Sequence, residues 1–362
     1  MERKKRERYI DAARGIGIAL VVLGHVIITE GYTSGSVTKF IYSFHMPLFF
    51  FLSGWCRALG GRASGREGLA HLWKTVKKLF VPYFIWSFIY LCLAYIGGPV
   101  DWEERLQAVF TFRGIAPLWF LPALGLCEGA LYLALAVRRH INRSIQPVLL
   151  PVLCILMYAV AYGMYQYYNS PGFPAADRVP VYLYITAGRF FVSFAVVISG
   201  YLVCRLMSLN LFEKRGNLFY FVSGVVMLVL CFAAAEYTGL SVNMHLFAAD
   251  RPGWFFFTAM AGSAGLVFLC RGGVRFLSVF SVLGVSSLGI MILHYQPFPF
   301  MHLAVNQMKK ITGIPAVQIV AATLIVLAVS LAGTWVCSRG CFITNNNRGL
   351  KRAQGDDLKT VR

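Results

Sequence analysis

Residues 11–26 read DAARGIGIALVVLGHV and place two ionisable side chains, Arg14 and His25, on one apolar segment. Eleven residues make about three turns of an α-helix, so both side chains share one face and lie about 16 Å apart along the axis. A helix of this length and composition is typical of a membrane span. Ionisable side chains are rare in such spans and commonly face functional cavities. Asp11, Arg14 and His25 therefore indicate a functional face.

The composition extends this interpretation to the whole chain. Of its 362 residues, 58% are hydrophobic and 14% are charged, whereas soluble domains carry about 25% charged residues. The sequence therefore predicts an all-α polytopic membrane protein with about ten transmembrane helices. Residues 1–338 form a single transmembrane domain in this prediction, and residues 339–362 form a polar cytoplasmic tail. The predicted spans are 10–29, 40–56, 79–97, 117–136, 146–164, 183–204, 218–236, 254–270, 276–296 and 313–337.

The formal charge of +19 follows the membrane topology and does not indicate a nucleic-acid surface. Of the 34 lysines and arginines, 25 fall in one set of alternating loops and termini, and 7 fall in the opposite set. The positive-inside rule assigns the basic set to the cytoplasm. Both termini are thus predicted to be cytoplasmic, and no nucleic-acid partner is expected. The nine cysteines lack CxxC spacing, so neither a metal site nor a disulfide framework is predicted.

With this orientation, several polar side chains fall at a similar depth toward the outer leaflet. They are His25, His45, Trp119, Arg189 and His294. Structural alternatives remain open for most of them: the two later histidines and the tryptophan suit the membrane interface, and the arginine can extend toward it. Another ionisable residue, Glu128, lies near the middle of the fourth span and is either functional or a structural partner.

The loop after the second span ends in a basic segment. Lys74, Lys77 and Lys78 recur at helical spacing just before Pro82. One interpretation is ordinary positive-inside anchoring. The other is a phosphate-binding surface beside Arg14 that would hold a phosphorylated soluble donor.

Five motifs in this order resemble the membrane acyltransferase-3 family, in particular its carbohydrate O-acetyltransferases and their fucose O-acetylase-like branch. They are YIDAARGI (9–16) with ten residues between Arg14 and His25, FHMPLFFFLSG (44–54), the basic segment ending in VPYF (81–84), LWFL (118–121) and SSLGIMILH (286–294). The resemblance implies ten transmembrane helices in a bacterial inner (plasma) membrane. It also implies acyl transfer from a cytoplasmic acyl-CoA to a hydroxyl of a cell-surface or lipid-linked carbohydrate, with Arg14 and His25 essential.

These implications assign roles to the candidate residues. His25 is the expected general base for the acceptor hydroxyl, or it is transiently acylated. Acetyl-CoA is a co-substrate, with no permanently bound cofactor. Asp11 is expected to orient Arg14. The donor phosphates are expected to bind to Arg14, Lys74, Lys77 and Lys78. Supporting or substrate-binding roles are assigned to His45, Ser53, Trp119, Arg189 and His294. Among the last group, Arg189, His45 and Ser53 are candidates for stabilising the oxyanion, and His294 is a candidate for orienting the acceptor.

A transporter or flippase for a polar lipid or sugar is the alternative function. Intramembrane histidine and arginine are equally natural in that class. Against it, the sequence shows neither a two-fold repeat nor a pair of matching interrupted helices. A membrane sensor or scaffold without catalysis is a third interpretation, which the intact set of motif residues disfavours.

Overall fold

The computed structural model describes residues 7–31, 35–60, 65–173, 179–209, 212, 215–295 and 297–339, and these are mostly helical. The helices are α1 (Arg8–Thr29), α2 (Ser36–Gly60), α3 (Gly65–Gly97), α4 (Trp102–Phe110), α5 (Phe120–His140), α6 (Gln146–Tyr168), α7 (Val179–Met207), α8 (Asn217–Thr238), α9 (Pro252–Gly272), α10 (Val274–Leu277), α11 (Ser281–Val285), α12 (Ser287–Leu293), α13 (Phe300–Ile311) and α14 (Pro315–Arg339). Three short 3₁₀ segments are Ala116–Trp119, Met244–Leu246 and Ser278–Phe280. The predicted all-α class is confirmed.

A minimal antiparallel hairpin follows α8. Its strands are β1 (Val242–Asn243) and β2 (Ala248–Ala249), paired Val242 with Ala249 and Asn243 with Ala248. The 3₁₀ segment between the strands is capped by the side chain of Asn243, which accepts from the backbone N–H of Leu246 at 3.2 Å. The hairpin thereby fixes the position of His245 in a loop between two spans.

The described helices give a multi-pass membrane protein. Eight of the described helical segments are long and apolar enough to cross a membrane, and a bent pair at 274–293 would make nine. The remaining predicted span, 40–56, falls in α2, which has 25 residues but interrupts its apolar run with His45 and Pro47. Each of the ten predicted spans thus coincides with helical structure, although length and apolar composition identify eight or nine membrane-crossing helices among the described residues. The cytoplasmic location of both termini stays a prediction.

The chain forms two compact units. Unit 1 comprises Met1–Ile41, Arg215–Leu230 and Gly265–Arg362, and unit 2 comprises Tyr42–Lys214 and Cys231–Ala264. The single transmembrane domain over residues 1–338 stays a prediction. Apart from Arg339, the predicted polar tail lies outside the described residues.

The ninth predicted span is a broken helix in unit 1. The segment Val274–Val285 and helix α12 meet at an angle of 55° beside Ser286. Ser286 leaves the helical conformation at this break, with φ −95° and ψ 3°. The prediction gave a span over 276–296, and the structure divides the described apolar segment into two helical parts, a difference that hydropathy does not register. The break leaves His294 at the end of a short separate helix.

Within unit 1, α1 packs backbone to backbone against the broken segment. A Cβ atom on Gly15 would collide with the carbonyl oxygen of Phe280, and one on Gly284 would collide with the carbonyl oxygen of Asp11. Small residues permit such close approach between helices in membranes. The glycines of α1 thus serve helix contact at the stretch that carries Arg14.

We expect Gly15→Ala to lower the stability of the protein substantially. The added methyl group cannot be accommodated by rotating a side chain, because its neighbours are backbone atoms, and overpacking of this kind costs about 1–3 kcal/mol or more. The measurement is the thermal unfolding midpoint of the detergent-purified protein.

The matched control for that experiment is Gly163→Ala in α6. A Cβ at Gly163 has no heavy atom within 4 Å among the described residues, and alanine is the better helix former by about 1 kcal/mol. An unchanged midpoint for Gly15→Ala, or equal losses for both variants, would contradict the assigned backbone contact.

In unit 2, small residues also set the helix packing. A Cβ on Gly54 of α2 would collide with the backbone of Val197 in α7, and one on Gly200 would collide with the backbone of Phe51. Near the start of α7, the side chain of Thr186 donates to the carbonyl of Thr111 at 2.9 Å. This packing places the loop that follows α4 against the first turns of α7.

Candidate active site

The functional face predicted for the first span lies on one uninterrupted helix. Helix α1 contains Asp11, Arg14 and His25 without a break. The Asp11 carboxylate lies 3.6 Å from the Arg14 guanidinium, and the Asp11 side chain is almost fully buried whereas that of Arg14 is one-third exposed. An acidic side chain in the first helical turn also interacts favourably with the helix dipole. The ion pair expected between Asp11 and Arg14 is therefore present, and its role in donor binding stays a prediction.

At the other end of this face, His25 contacts the histidine of the last motif. Nδ1 of His25 and Nε2 of His294 are 3.2 Å apart, although the two residues are separated by 269 positions. The ring centroids are 5.0 Å apart, and the ring of Tyr295 packs edge-on against His25 at 4.5 Å. The structure thus joins two of the histidines that the sequence placed at similar depth.

The hydrogen bonds of His294 fix which nitrogen carries its proton. Its Nδ1 lies 3.0 Å from the carbonyl oxygen of Ile290 and 2.8 Å from that of Met291. A carbonyl oxygen can only accept, so Nδ1 of His294 is the donor. In a neutral imidazole the other nitrogen then carries the lone pair, so Nε2 of His294 accepts a hydrogen bond from Nδ1–H of His25.

This arrangement places the basic nitrogen of His25 on the side away from His294. With Nδ1 protonated, the lone pair of the neutral His25 ring is on Nε2. His25 is half-buried, whereas His294 is completely buried. Burial and two carbonyl contacts immobilise His294, and His294 in turn orients His25. The predicted role of His294 in orienting an acceptor stays a prediction.

A second polar cluster lies in unit 2 around Arg189, whose side chain is buried at 1% exposure. Its guanidinium donates to the carbonyl of Arg113 at 2.8 Å and to the carbonyl of His245. The guanidinium carbon lies 5.0 Å from the centre of the Trp119 ring, and that ring stacks on His245 with 6.4 Å between centroids. We call Arg113, Trp119, Arg189 and His245 the Arg189 cluster.

Trp119 and Arg189, for which positions at the membrane interface were considered, are both buried in the protein. Trp119 lies at 4% exposure in a 3₁₀ segment before α5, so its ring is not on the protein surface. Arg189 turns inward to the two backbone carbonyls instead of extending toward the interface. Tertiary contacts outweigh the usual interfacial preference of both residue types.

The loop residues of the Arg189 cluster are electrostatically unusual. Burial, together with the nearby guanidinium groups of Arg189 and Arg113, lowers the pKa of His245 from its usual value of 6.5 to about 3. The His245 ring is therefore neutral at physiological pH. The Arg113 guanidinium packs over the Tyr182 ring at 4.3 Å and forms an ion pair with Glu104 at 3.4 Å.

The other predicted site residues of unit 2 occupy separate positions. His45 is buried and packs edge-on against Tyr42 with 4.8 Å between centroids. The hydroxyl of Ser53 donates to the carboxylate of Glu128, so Glu128 has a serine partner. Lys74, Lys77 and Lys78 are exposed on α3, where Lys77 packs over the Trp73 ring at 4.9 Å.

Sequence reasoning missed three residues of these clusters. Tyr295 directly follows the His294 motif, whereas Arg113 and His245 lie in loops and were not among the candidate site residues. A histidine in a short loop between two apolar spans was the available signal for His245. The contact between His245 and Trp119 depends on the hairpin and could not be predicted from the sequence.

Comparison with known proteins identifies the family. A family model described as an acyltransferase domain matches residues 7–339, which is nearly the whole chain. The chain is also similar to nodulation protein NolL of Sinorhizobium fredii (strain NBRC 101917 / NGR234), at 39% identity over 75 residues. That match covers 16% of this chain and 20% of the length of NolL. With helices α1 to α14 inside the matched region, the chain belongs to the acyltransferase family defined by this domain and is a multi-pass membrane member of it.

Proposed function

We propose that this protein is an integral membrane O-acyltransferase. In this proposal it moves an acyl group, acetyl by default, from cytoplasmic acyl-CoA to a hydroxyl of a cell-surface or lipid-linked carbohydrate. Membership of the acyltransferase family supports the reaction class. The observation that carries the proposal is the contact between His25 and His294, because it supplies a base whose tautomer is set by its partner.

The chemistry follows from the position of the lone pair on His25. Nε2 of His25 accepts the proton of the acceptor hydroxyl as the hydroxyl oxygen attacks the thioester carbonyl. The tetrahedral intermediate then expels the CoA thiolate, which takes the proton back from the His25 imidazolium. The products are the carbohydrate ester and free CoA. Throughout this cycle, Nε2 of His294 accepts the hydrogen bond from Nδ1–H of His25, and that bond strengthens when His25 becomes charged.

The proposed roles of the other residues are separate from this step. Arg14, Lys74, Lys77 and Lys78 are proposed to bind the phosphates of CoA, since guanidinium and ammonium groups suit phosphate oxygens. The Asp11 carboxylate holds the Arg14 side chain by its 3.6 Å ion pair. Arg189, His45 and Ser53 remain proposed oxyanion-stabilising or acceptor-positioning residues. A location in a bacterial inner membrane is likewise part of the proposal.

The direct test uses the full-length protein in liposomes, with acetyl-CoA and a glycan extract from the producing cells. We expect release of CoA thiol that depends on the glycan, together with a gain of acetyl mass on the glycan by mass spectrometry. The exposed histidine of α13 offers a control variant, His302→Ala, which should behave as the unmodified protein does. Glycan uptake without thiol release or added mass would contradict the proposal and support the transporter alternative.

A further inference from the structure

A buried ion pair lies at the C-terminal end of α1, five residues after His25. Glu30 directly follows the last residue of α1, and its side chain is 1% exposed. One carboxylate oxygen lies 2.9 Å from the ammonium of Lys309 in α13. The other oxygen has no hydrogen-bond partner among the described residues. In this part of the chain, Lys309 is therefore the ion-pair partner that compensates the buried charge.

The position of Glu30 is unfavourable without this partner. A carboxylate removed from water loses much of its solvation free energy unless a cation compensates it. A negative charge at the C-terminal end of a helix is also repelled by the helix dipole. The ammonium of Lys309 offsets both effects, because it pairs with the carboxylate and brings a positive charge to the end of α1. Loss of Lys309 would thus leave a buried negative charge beside the last turn of this helix.

The last turn of α1 connects the ion pair to His25. The hydroxyl of Thr29 donates to the carbonyl of His25 at 2.8 Å and lies 3.6 Å from Sδ of Met301 in α13. The backbone N–H of Glu30 donates to the carbonyl of Val26 at 2.9 Å. Helix α13 thus contacts two consecutive residues of this turn, Thr29 and Glu30. Terminal turns fray when they are not held by such contacts.

The segment that leads into α13 carries the other contacts of His25. His294 lies at the end of α12 and accepts the hydrogen bond from Nδ1–H of His25, and the ring of Tyr295 packs against His25. Helix α13 begins five residues later, at Phe300. One stretch of chain therefore contacts α1 first at His25 and again at its C-terminal end. A hydrogen bond weakens steeply as its angle departs from linearity, so a shift of α13 relative to the end of α1 would weaken the first contact.

We propose that the ion pair between Glu30 and Lys309 positions His25 for catalysis. The pair holds the last turn of α1 against α13, and this keeps Nδ1–H of His25 directed at Nε2 of His294. Glu30 and Lys309 are positioning residues in this proposal, since they act through His25. The catalytic consequence rests on the proposed function, whereas the effect on the hydrogen bond between the two histidines does not.

Two variants remove the ion pair in different ways. Glu30→Gln removes the buried charge and leaves Lys309, which is 45% exposed, in contact with water. Lys309→Met leaves the buried carboxylate without its cation. We expect both to lower kcat for acyl transfer by about 10- to 100-fold, the scale of a small misplacement of a catalytic group, with KM for acetyl-CoA little changed. The thermal unfolding midpoint should fall for Lys309→Met and hold for Glu30→Gln.

Three further variants separate positioning from stability. The double variant Glu30→Gln/Lys309→Met should lose no more activity than the less active single variant, because both substitutions remove one interaction. Lys309→Arg keeps the positive charge and should keep most of the activity. The matched control is Lys310→Met, which removes the neighbouring exposed lysine and should behave as the unmodified protein does.

A measurement without any substrate tests the positioning directly. Nitrogen NMR of histidine-labelled protein in lipid bilayers reports which nitrogen of a neutral imidazole carries the proton, and comparison with His25→Ala identifies the signals of His25. The unmodified protein and Lys310→Met should show His25 protonated at Nδ1 alone. Glu30→Gln and Lys309→Met should show a mixture of both tautomers.

Three results would overturn the proposal. The first is a single Nδ1-protonated tautomer of His25 that persists in both ion-pair variants. The second is a kcat that falls only where the unfolding midpoint falls, because the ion pair would then act on stability alone. The third is a double variant whose loss equals the product of the two single losses. A mixture of tautomers in the variants, together with no acyl transfer by the unmodified protein, would instead contradict the proposed function and leave the positioning role standing.

Discussion

Replacing His25 with alanine is expected to lower the rate of acyl transfer by about 10²–10⁴-fold, the usual contribution of a general base. The hydrogen bonds of His294 leave Nε2 of His25 as the basic nitrogen of this pair, and the variant removes that nitrogen. The measurement is the initial rate of glycan-dependent CoA release by the purified protein. Folding is checked by the thermal unfolding midpoint, which should change little because His25 is only half-buried.

His302→Ala is the matched control, since this histidine is exposed on α13. A His25→Ala variant that folds normally and keeps a rate similar to that of His302→Ala would rule out the assignment. The same experiment distinguishes the two chemical roles of His25. A protein incubated with acetyl-CoA alone accumulates acetyl on His25 if the ring is a nucleophile, and none if it is a base; mass spectrometry of the peptide reads the difference.

Replacing His294 is expected to have the second-largest effect, because His294 positions the catalytic ring. His294→Phe keeps an aromatic ring in a fully buried position but removes the acceptor for Nδ1–H of His25. Loss of the group that sets a catalytic tautomer costs up to about 10⁴-fold in the serine protease triad. We expect a loss of about 10²-fold here, between that limit and the effect of an ordinary hydrogen bond.

A conservative variant separates positioning from packing. The amide oxygen of His294→Gln can accept the hydrogen bond from His25, so this variant should retain more activity than His294→Phe. Stability should follow the opposite order, because burying an incompletely paired amide is costly. We would measure transfer rates and thermal midpoints for both variants. Activities that followed the stability order would show that His294 acts only through packing.

The sequence predicted the membrane class and the shared helix face of Arg14 and His25, and the functional role of that face stays a prediction. Helical periodicity is a local property, so Arg14 and His25 share a face whenever residues 8–29 are helical, as they are. The pairing of Asp11 with Arg14 followed for the same reason, since three residues separate them. The five motifs likewise indicated the family that the comparison supports over residues 7–339.

The structure differed from the sequence-based predictions where contacts between distant parts of the chain determine the conformation. Hydropathy averaged over the break at Ser286, because the 55° bend leaves the apolar composition of residues 274–293 unchanged. Trp119 and Arg189 suited a membrane interface by residue type, yet both are buried. Arg189 donates to the loop carbonyls of Arg113 and His245, and its guanidinium lies 5.0 Å from the centre of the Trp119 ring. These partners come from loops whose conformations depend on the surrounding helices.

By itself, the sequence determined which side chains of this protein can ionise or form hydrogen bonds and where along each helix they lie. The tertiary structure alone decided which of them are partners. The choice of His294 for His25 spans 269 positions and depends on the close packing of Gly15 and Gly284, which brings α1 against the broken segment. Periodicity places a side chain on a face, but the identity of the opposing group follows from helix packing, and that depends on the chain as a whole.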